Sequence, residues 1–234
     1  MQAGKLYLIP SPISESENDN QLFAYLIPII TGIDIFFVEN LRTTRRFFSR
    51  IGIRNIENIR FEQLDKHVKQ KEVESLLDIV KKGKNAGILS EAGCPGIADP
   101  GSIAVKLAHT HNIRIIPVSG PSSIFMALMA SGFNGQNFTF HGYLPIDKMD
   151  RKAEIRHIEN LVYSKDQTQI FMETPYRNNK LLGVLVESLK PETLLCVACD
   201  ISGADEFIRT KRIRIWKKSI PDIHKKPTLF LIYK

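Results

Sequence analysis

The sequence predicts an α/β protein of two α/β domains, the N-terminal one on a mainly parallel sheet and the C-terminal one on a mixed sheet. Three observations carry this. Through the first half, short continuously apolar runs alternate with helical patterns, as strands covered on both faces by crossover helices do. Near the C-terminus, three strand-like runs follow one another with too little chain between them for helices, so they should pair antiparallel. The length of 234 residues exceeds a typical small domain and suits two domains of roughly 115 residues each.

In order along the first half, strands are read at 5–9, 33–39, 86–90 and 113–118. Segment 22–38 carries a single charge, Asp34, but it is short for a membrane span and is interrupted by Pro28 and Gly32. It reads as a buried helix over about 18–31, a turn at Gly32, and then the strand. Val73, Leu76, Leu77 and Val80 stand at i, i+3, i+4 and i+7, and Lys81, Lys82 and Gly83 close that helix. Another crossover helix lies within 97–111, after Asp99-Pro100-Gly101. The chain then turns at Ser119-Gly120-Pro121, with Pro121 near the first helical position ahead of the stripe Ile124, Leu128, Met129. The domain boundary is placed here, giving domains 1–118 and 119–234. The second half reads as strands at 138–144, 169–173, 194–201, 208–216 and 228–233, with helices over about 148–164 and 175–189.

Composition excludes several classes. A chain 43% hydrophobic and 24% charged is globular, not disordered, collagenous or coiled-coil. Three cysteines are too few for a disulfide scaffold, so a reducing cytoplasm is expected. The N-terminus lacks the apolar core of a signal peptide. The excess of 32 Lys+Arg over 25 Asp+Glu, +7, hints at a polyanionic partner. There is neither a Gly-x-Gly-x-x-Gly nor a Walker loop. The six histidines show no metal-ligand spacing, so no metal is expected. Cys196 and Cys199 form a C-x-x-C inside a strand, where alternation points their sulfurs to opposite faces.

In open α/β sheets ligands sit at the carboxyl ends of strands. Three polar loops lie there: Pro10-Ser11-Pro12, the stretch 90–101 with three glycines and two prolines, and Ser119-Gly120-Pro121-Ser122-Ser123. Glycine and proline fix an unusual path and let backbone approach a ligand. Free N–H groups at the last loop's helix start suit an anion. Stretch 40–56 carries Arg42, Arg45, Arg46, Arg50 and Arg54 with no acid among them, and Arg42, Arg46 and Arg50 form a single helical stripe. That stripe is either a solvated face or a set of phosphate contacts.

Five ordered motifs make the sequence recognisable. Leu-Ser-Glu-Ala-Gly-Cys-Pro-Gly-Ile-Ala-Asp-Pro-Gly (89–101) resembles the cofactor loop of the tetrapyrrole (corrin/porphyrin) methylase superfamily. Glu39-Asn-Leu-Arg-Thr-Thr-Arg-Arg, Pro117-Val-Ser-Gly-Pro-Ser-Ser, Gly142-Tyr-Leu-Pro and Met172-Glu-Thr-Pro-Tyr-Arg resemble most the branch that methylates ribose in bacterial small-subunit rRNA. The resemblance implies a homodimer of two-domain subunits with S-adenosylmethionine in the cleft between the domains. By position the cofactor contacts would be Pro10, Glu91, Cys94, Ser122, Ser123, Met172, Ala198 and Pro227. Glu39 or Glu173 would remove the hydroxyl proton or orient the hydroxyl, or both would make structural hydrogen bonds. Arg42, Arg45, Arg46 and Arg177 would hold phosphates of small-subunit RNA, with no part for DNA or a membrane. The chain departs from the branch at Ser14-Glu15-Ser16, where Gly-Asn-Leu is usual, at Asn40-Leu41, where Asp-Thr is usual, and in ending at Lys234 without an extra C-terminal segment. Methylation of a small molecule such as a tetrapyrrole, or binding without catalysis, are the alternative functions.

Overall fold

The computed structural model describes residues 3–14, 23–65 and 67–234. The chain divides into two compact units, Met1–Ser122 and Ser123–Lys234. Both sheets and their helices have the predicted two-domain α/β character.

Unit 1 is built on five strands, β1 (Lys5–Leu8), β2 (Ile35–Val38), β3 (Arg60–Gln63), β4 (Ala86–Leu89) and β5 (Arg114–Pro117). They lie in the order β3-β2-β4-β1-β5, and every neighbouring pair is parallel. All four residues of β2 and of β4 are buried, as strands covered on both faces must be. One face carries Phe36, Val38 and Leu89 against Phe23 and Leu26, against Ile30 of helix α1 (Ile27–Thr31), and against Phe47 and Phe48 of helix α2 (Leu41–Arg50). The other face carries Leu6, Phe37 and Ile88 against α3 (Gln70–Lys81) and α4 (Gly101–Thr110). Of the helix read over 18–31, residues 18–22 lie outside the described residues; a 3-10 turn at Ala24–Leu26 leads into α1. β3 is an addition to the expected elements. It is an edge strand with partly exposed, polar residues, so hydrophobic periodicity does not mark it.

Unit 2 holds β6 (Phe138–Tyr143), β7 (Thr168–Met172), β8 (Leu194–Cys199), β9 (Phe207–Arg212) and β10 (Thr228–Tyr233), in the order β6-β7-β10-β8-β9. Only β6–β7 is parallel; the last three strands pair antiparallel as expected. Helix α5 (Ser123–Ser131) covers one face with Ala127 and Leu128, while α6 (Lys148–Lys165) and α7 (Asn178–Ser188) cover the other. Cys196 packs on the α5 face and Cys199 on the opposite one. Three boundaries differ from expectation. The strand read over 208–216 ends at Arg212, where its partner β8 runs out, and Ile213–Trp216 turn into a short helix, α8. Trp216 is thereby buried and its Nε1 donates to Leu195 O at 2.9 Å. α5 opens at Ser123, two residues past Pro121. The helix read from 175 begins as a 3-10 turn, Pro175–Arg177.

The face under α2 is the most aromatic part of unit 1: Phe48 is fully buried and meets Phe36 edge-on, with centroids 5.1 Å apart. Phe48→Ala should cost about 3–5 kcal/mol in urea unfolding of unit 1; a loss below about 1 kcal/mol would show that α2 is not anchored through this ring.

Candidate active site

The connections of unit 1 define where a ligand can sit. The chain leaves β1 toward β2 on one side and leaves β4 toward β5 on the other, although β1 and β4 are neighbours. This is a topological switch point, where loops beyond the strand ends diverge and open a crevice. Here the two loops are tied across it. Ser11 N donates to Gly93 O at 2.8 Å and Gly93 N to Ser11 O at 3.0 Å. The Ser11 hydroxyl donates to Ser90 O at 2.9 Å. Gly93 has φ +70°, which a residue with a side chain could adopt there only with strain. The third loop closes from the β5 side: a Cβ on Gly120 would lie 2.1 Å from Pro10 Cβ, and Cys94 Sγ donates to Pro121 O at 3.4 Å. Tyr25 holds the same loop by donating its hydroxyl to Ser119 O. Pro10, Cys94 and the 119–122 turn carrying Ser122 are thus brought together, with small side chains and close backbone.

A second layer surrounds the end of β2. Glu39 Oε2 accepts from Glu91 N at 3.3 Å, and Asn40 Nδ2 donates to Glu91 Oε1 at 2.9 Å. Asn40 also caps α2, its Oδ1 accepting from Arg42 N at 3.0 Å and Thr43 N at 3.2 Å. Residues 39 and 40 therefore clasp Glu91 and start α2 in one turn. Asp99 staples the glycine-rich loop, its Oδ1 accepting from Gly96 N at 2.8 Å and Gly101 N at 2.7 Å. Glu39, Ser90 and Asp99 line one narrow crevice, too tight to hold a water. Burial raises the proton affinity of the Glu39 carboxyl above the ordinary range; the nearby carboxylates Glu91, Asp99 and Asp65 add to this, and the Glu91 amide offsets it in part. Burial likewise raises Asp99, against its two amide bonds, and raises the Cys94 thiol.

Arg42, Arg45 and Arg46 are all exposed on α2 while Thr44, Phe47 and Phe48 face inward. Arg45 lies over the Phe61 ring at 5.6 Å. Arg46 lines an open pocket; Arg42 and Arg45 do not.

In unit 2, Met172 stands opposite Leu229, and Leu229 opposite Ala198. The three form one row across β7, β10 and β8, packed on the α5 face whose helix begins at Ser123. Pro227 precedes β10 and its carbonyl accepts from Asp200 N at 2.8 Å. Glu173 follows Met172 with a side chain 1% exposed; its Oε1 accepts from Arg177 Nη2 at 2.6 Å and from Thr174 N at 2.7 Å. For Glu173 and Arg177 the structure shows the structural bonding that the sequence left open. The pair is a clasp at the 3-10 turn, and Arg177 already faces a carboxylate where a phosphate contact was expected. Sequence reasoning passed over Asp99 as a side chain and over Asn40 as a clasp. Asp99 had a signal, an acid two residues before a helix-starting glycine; the Asn40–Glu91 contact spans 51 positions and had none.

Residues 31–214 match the family model described as Tetrapyrrole (Corrin/Porphyrin) Methylases. Among curated relatives, ribosomal RNA small subunit methyltransferase I of Escherichia coli O157:H7 is 30% identical over 205 residues, 88% of this chain and 68% of that protein. The protein of that name from Buchnera aphidicola subsp. Schizaphis graminum is 27% identical over 234 residues, 99% of this chain and 78% of its own. The methyltransferase CobJ has the same fold at TM-score 0.64 and 16% identity, covering 99% of this chain and 95% of that one. Uroporphyrin-III C-methyltransferase of Thermus thermophilus, complexed with S-adenosyl homocysteine, matches at TM-score 0.57 and 14% identity, over 99% and 98%. The protein is an S-adenosylmethionine-dependent methyltransferase. Within that class, the chain belongs to the tetrapyrrole (corrin/porphyrin) methylases. The tied loops of unit 1 fit this cofactor. The adenosine and amino-acid ends of the cofactor can be met by backbone donors and acceptors, and the close approaches at Gly93 and Gly120 gather backbone at this end of the sheet.

Two outcomes test the layer around β2. Asn40→Ala should lower stability by about 1 kcal/mol through the lost cap, whereas Asn40→Asp keeps the cap but sets a carboxylate against Glu91. The Asp variant should be less stable than wild type at neutral pH and recover as acid protonates the pair; equal stability at both pH values would show that the clasp does not form. Glu39 has a higher pKa folded than unfolded, so the folded state binds more protons in that interval and stability falls as pH rises through it. Glu39→Gln should therefore raise the melting temperature at pH 7 to 8, with the gain fading at acidic pH; a lowered melting temperature at pH 8 would reverse the assignment.

Proposed function

We propose that this enzyme transfers a methyl group from S-adenosylmethionine to a ribose 2'-hydroxyl of small-subunit rRNA. The observation that carries the reading is the strand–helix turn after β2, where a carboxyl of raised proton affinity, Glu39, is followed directly by a helix with exposed arginines. The names of the relatives over most of the chain support it.

When bound, S-adenosylmethionine supplies a methyl group on a positively charged sulfur, open to displacement by an oxygen nucleophile. Pro10, Glu91, Cys94, Ser122, Ser123, Met172, Ala198 and Pro227 are the residues that would hold the cofactor. Glu39 takes the hydroxyl proton. Its Oε2 is oriented by the Glu91 amide, and Oε1 has no hydrogen-bond partner among the described residues. A positioned base of this kind typically contributes about 10²–10⁴-fold, and alignment of the hydroxyl behind the methyl contributes further. Glu173 and Arg177 keep the turn after Met172 rigid. Arg42, Arg45 and Arg46 bind phosphates, which makes affinity fall with salt. The three free cysteines support a cytoplasmic enzyme, and the exposed Phe125 and Met129 on α5 support a homodimer. Among the described residues, no helix is long and apolar enough to cross a membrane.

The test incubates the protein with methyl-labelled S-adenosylmethionine and small ribosomal subunits from cells lacking it, followed by digestion and nucleoside separation. Label in a 2'-O-methylnucleoside is expected. Label in no nucleoside, with S-adenosylmethionine binding intact by calorimetry, refutes the RNA reading.

A further inference from the structure

Two tyrosines of the recognised motifs, Tyr143 and Tyr176, contribute little to the packing of unit 2: they are 56% and 71% exposed. β6 and β7 run parallel, so Tyr143 at the end of β6 and Tyr176 in the 3-10 turn after β7 share one end of the sheet. Ile146 and Met149, in the turn into α6 and its first residues, are exposed at that end as well. An ordinary surface scatters such side chains singly, and gathering them marks a place where something binds. The backbone aims Tyr143 there. Phe140 pairs with Ile170, but Tyr143 and not Gly142 pairs with Met172. The extra residue is a bulge with Gly142 at a left-handed φ of +68°, a device that re-aims side chains beside functional sites. It extends the row of Met172, Leu229 and Ala198 to Tyr143 on the edge strand. That row is buried at Ala198 and Leu229 and opens to solvent at Tyr143. Tyr176 is carried by the turn that the Glu173–Arg177 clasp fixes. Lys225 Nζ stands 5.8 Å from the centre of its ring, and Lys225 has no ion-pair partner among the described residues.

Exposed rings on a fixed backbone, with positive charge beside them, are the surface on which unpaired bases stack. Every base has a π-face, and the phosphate next to it meets the cation. We propose that Tyr143 and Tyr176 form a stacking platform for single-stranded bases of the acceptor RNA, with Lys225 beside the backbone of the strand. The inference rests on the proposed RNA reading and deepens it, adding residues of unit 2 that touch bases to the arginines of α2 that meet phosphates. Tyr143, in the row with the proposed cofactor residues Met172 and Ala198, takes one base, and Tyr176 takes another.

The test compares the affinity for a short fluorescein-labelled oligouridylate with that for an abasic strand of equal length and charge. Wild type, Tyr143→Ala, Tyr143→Phe, Tyr176→Ala and Tyr176→Phe are measured, with melting temperature as the check on folding and sedimentation as the check on oligomeric state. Single-turnover methylation of small ribosomal subunits is followed alongside. Wild type should prefer the oligouridylate by roughly tenfold or more. Each alanine variant should lose most of that preference and keep its affinity for the abasic strand, because the phosphate contacts are unchanged. Both phenylalanine variants should bind as wild type does, because stacking needs the ring and not the hydroxyl. Alanine variants that bind both strands as wild type does overturn the platform, as do phenylalanine variants that fail together with them. A change in sedimentation with no change in oligouridylate affinity also overturns it and assigns the patch to a contact between subunits. If wild type and the alanine variants methylate subunits equally and bind both strands equally, the platform is wrong and the RNA reading stands. If wild type transfers no label to subunits while its base preference is lost in the alanine variants, the platform stands and the ribose reading falls.

Discussion

The active end of unit 1 hangs on two backbone hydrogen bonds between Ser11 and Gly93. A parallel sheet delivers all its strand ends to one side, but at a switch point the loops leaving those ends run apart. Without a cross-tie, each would be an independent surface loop with little reason to hold one shape. The Ser11–Gly93 bridge converts the loops after β1 and β4 into one piece, and the Pro10–Gly120 contact adds the loop after β5. The bridge needs a left-handed residue at 93, and glycine supplies it without strain. The Asp99 staple then fixes the remainder of the glycine-rich loop up to the start of α4.

The same loops set the electrostatics. Glu91 faces two neighbours: its amide orients Glu39, and its carboxylate is held by Asn40. Three acids, Glu91, Asp99 and Asp65, act on Glu39 near the end of β2. Burial and these neighbouring charges raise the proton affinity of Glu39. The stability that the folded chain loses by holding Glu39 in this way is the ordinary tension between activity and stability at a reactive group. In unit 2 the logic is reversed. Glu173 is more deeply buried, and the Arg177 guanidinium at 2.6 Å gives its carboxylate a partner that holds the turn.

Much of this could be read from residues alone, and what could not follows a pattern. Buried strands such as 35–38 and 86–89 announced themselves as unbroken apolar runs, because both faces are covered. The glycine-rich loop announced itself through its glycines and prolines, because special backbone angles demand them. β3 stayed hidden because an edge strand needs no apolar pattern, and the 208–216 strand was overextended because alternation continued past the end of its partner. At the site, types were legible and pairings were not. Glu173 and Arg177 looked available as separate groups until folding set them 2.6 Å apart. Arg42, Arg46 and Arg50 read as one helical stripe, and of these only Arg46 and Arg50 line the pocket beside α2.

If a proton at Glu39 governs the reaction, the most direct measurement is the single-turnover methylation rate of small ribosomal subunits as a function of pH, for wild type and Glu39→Gln. Wild type should show an acid limb set by a carboxyl titrating above the ordinary glutamate range. In Glu39→Gln that limb should vanish and the plateau should fall by about 10²–10⁴-fold, with S-adenosylmethionine affinity unchanged. A Glu39→Gln enzyme that keeps both the wild-type plateau and the acid limb would contradict it.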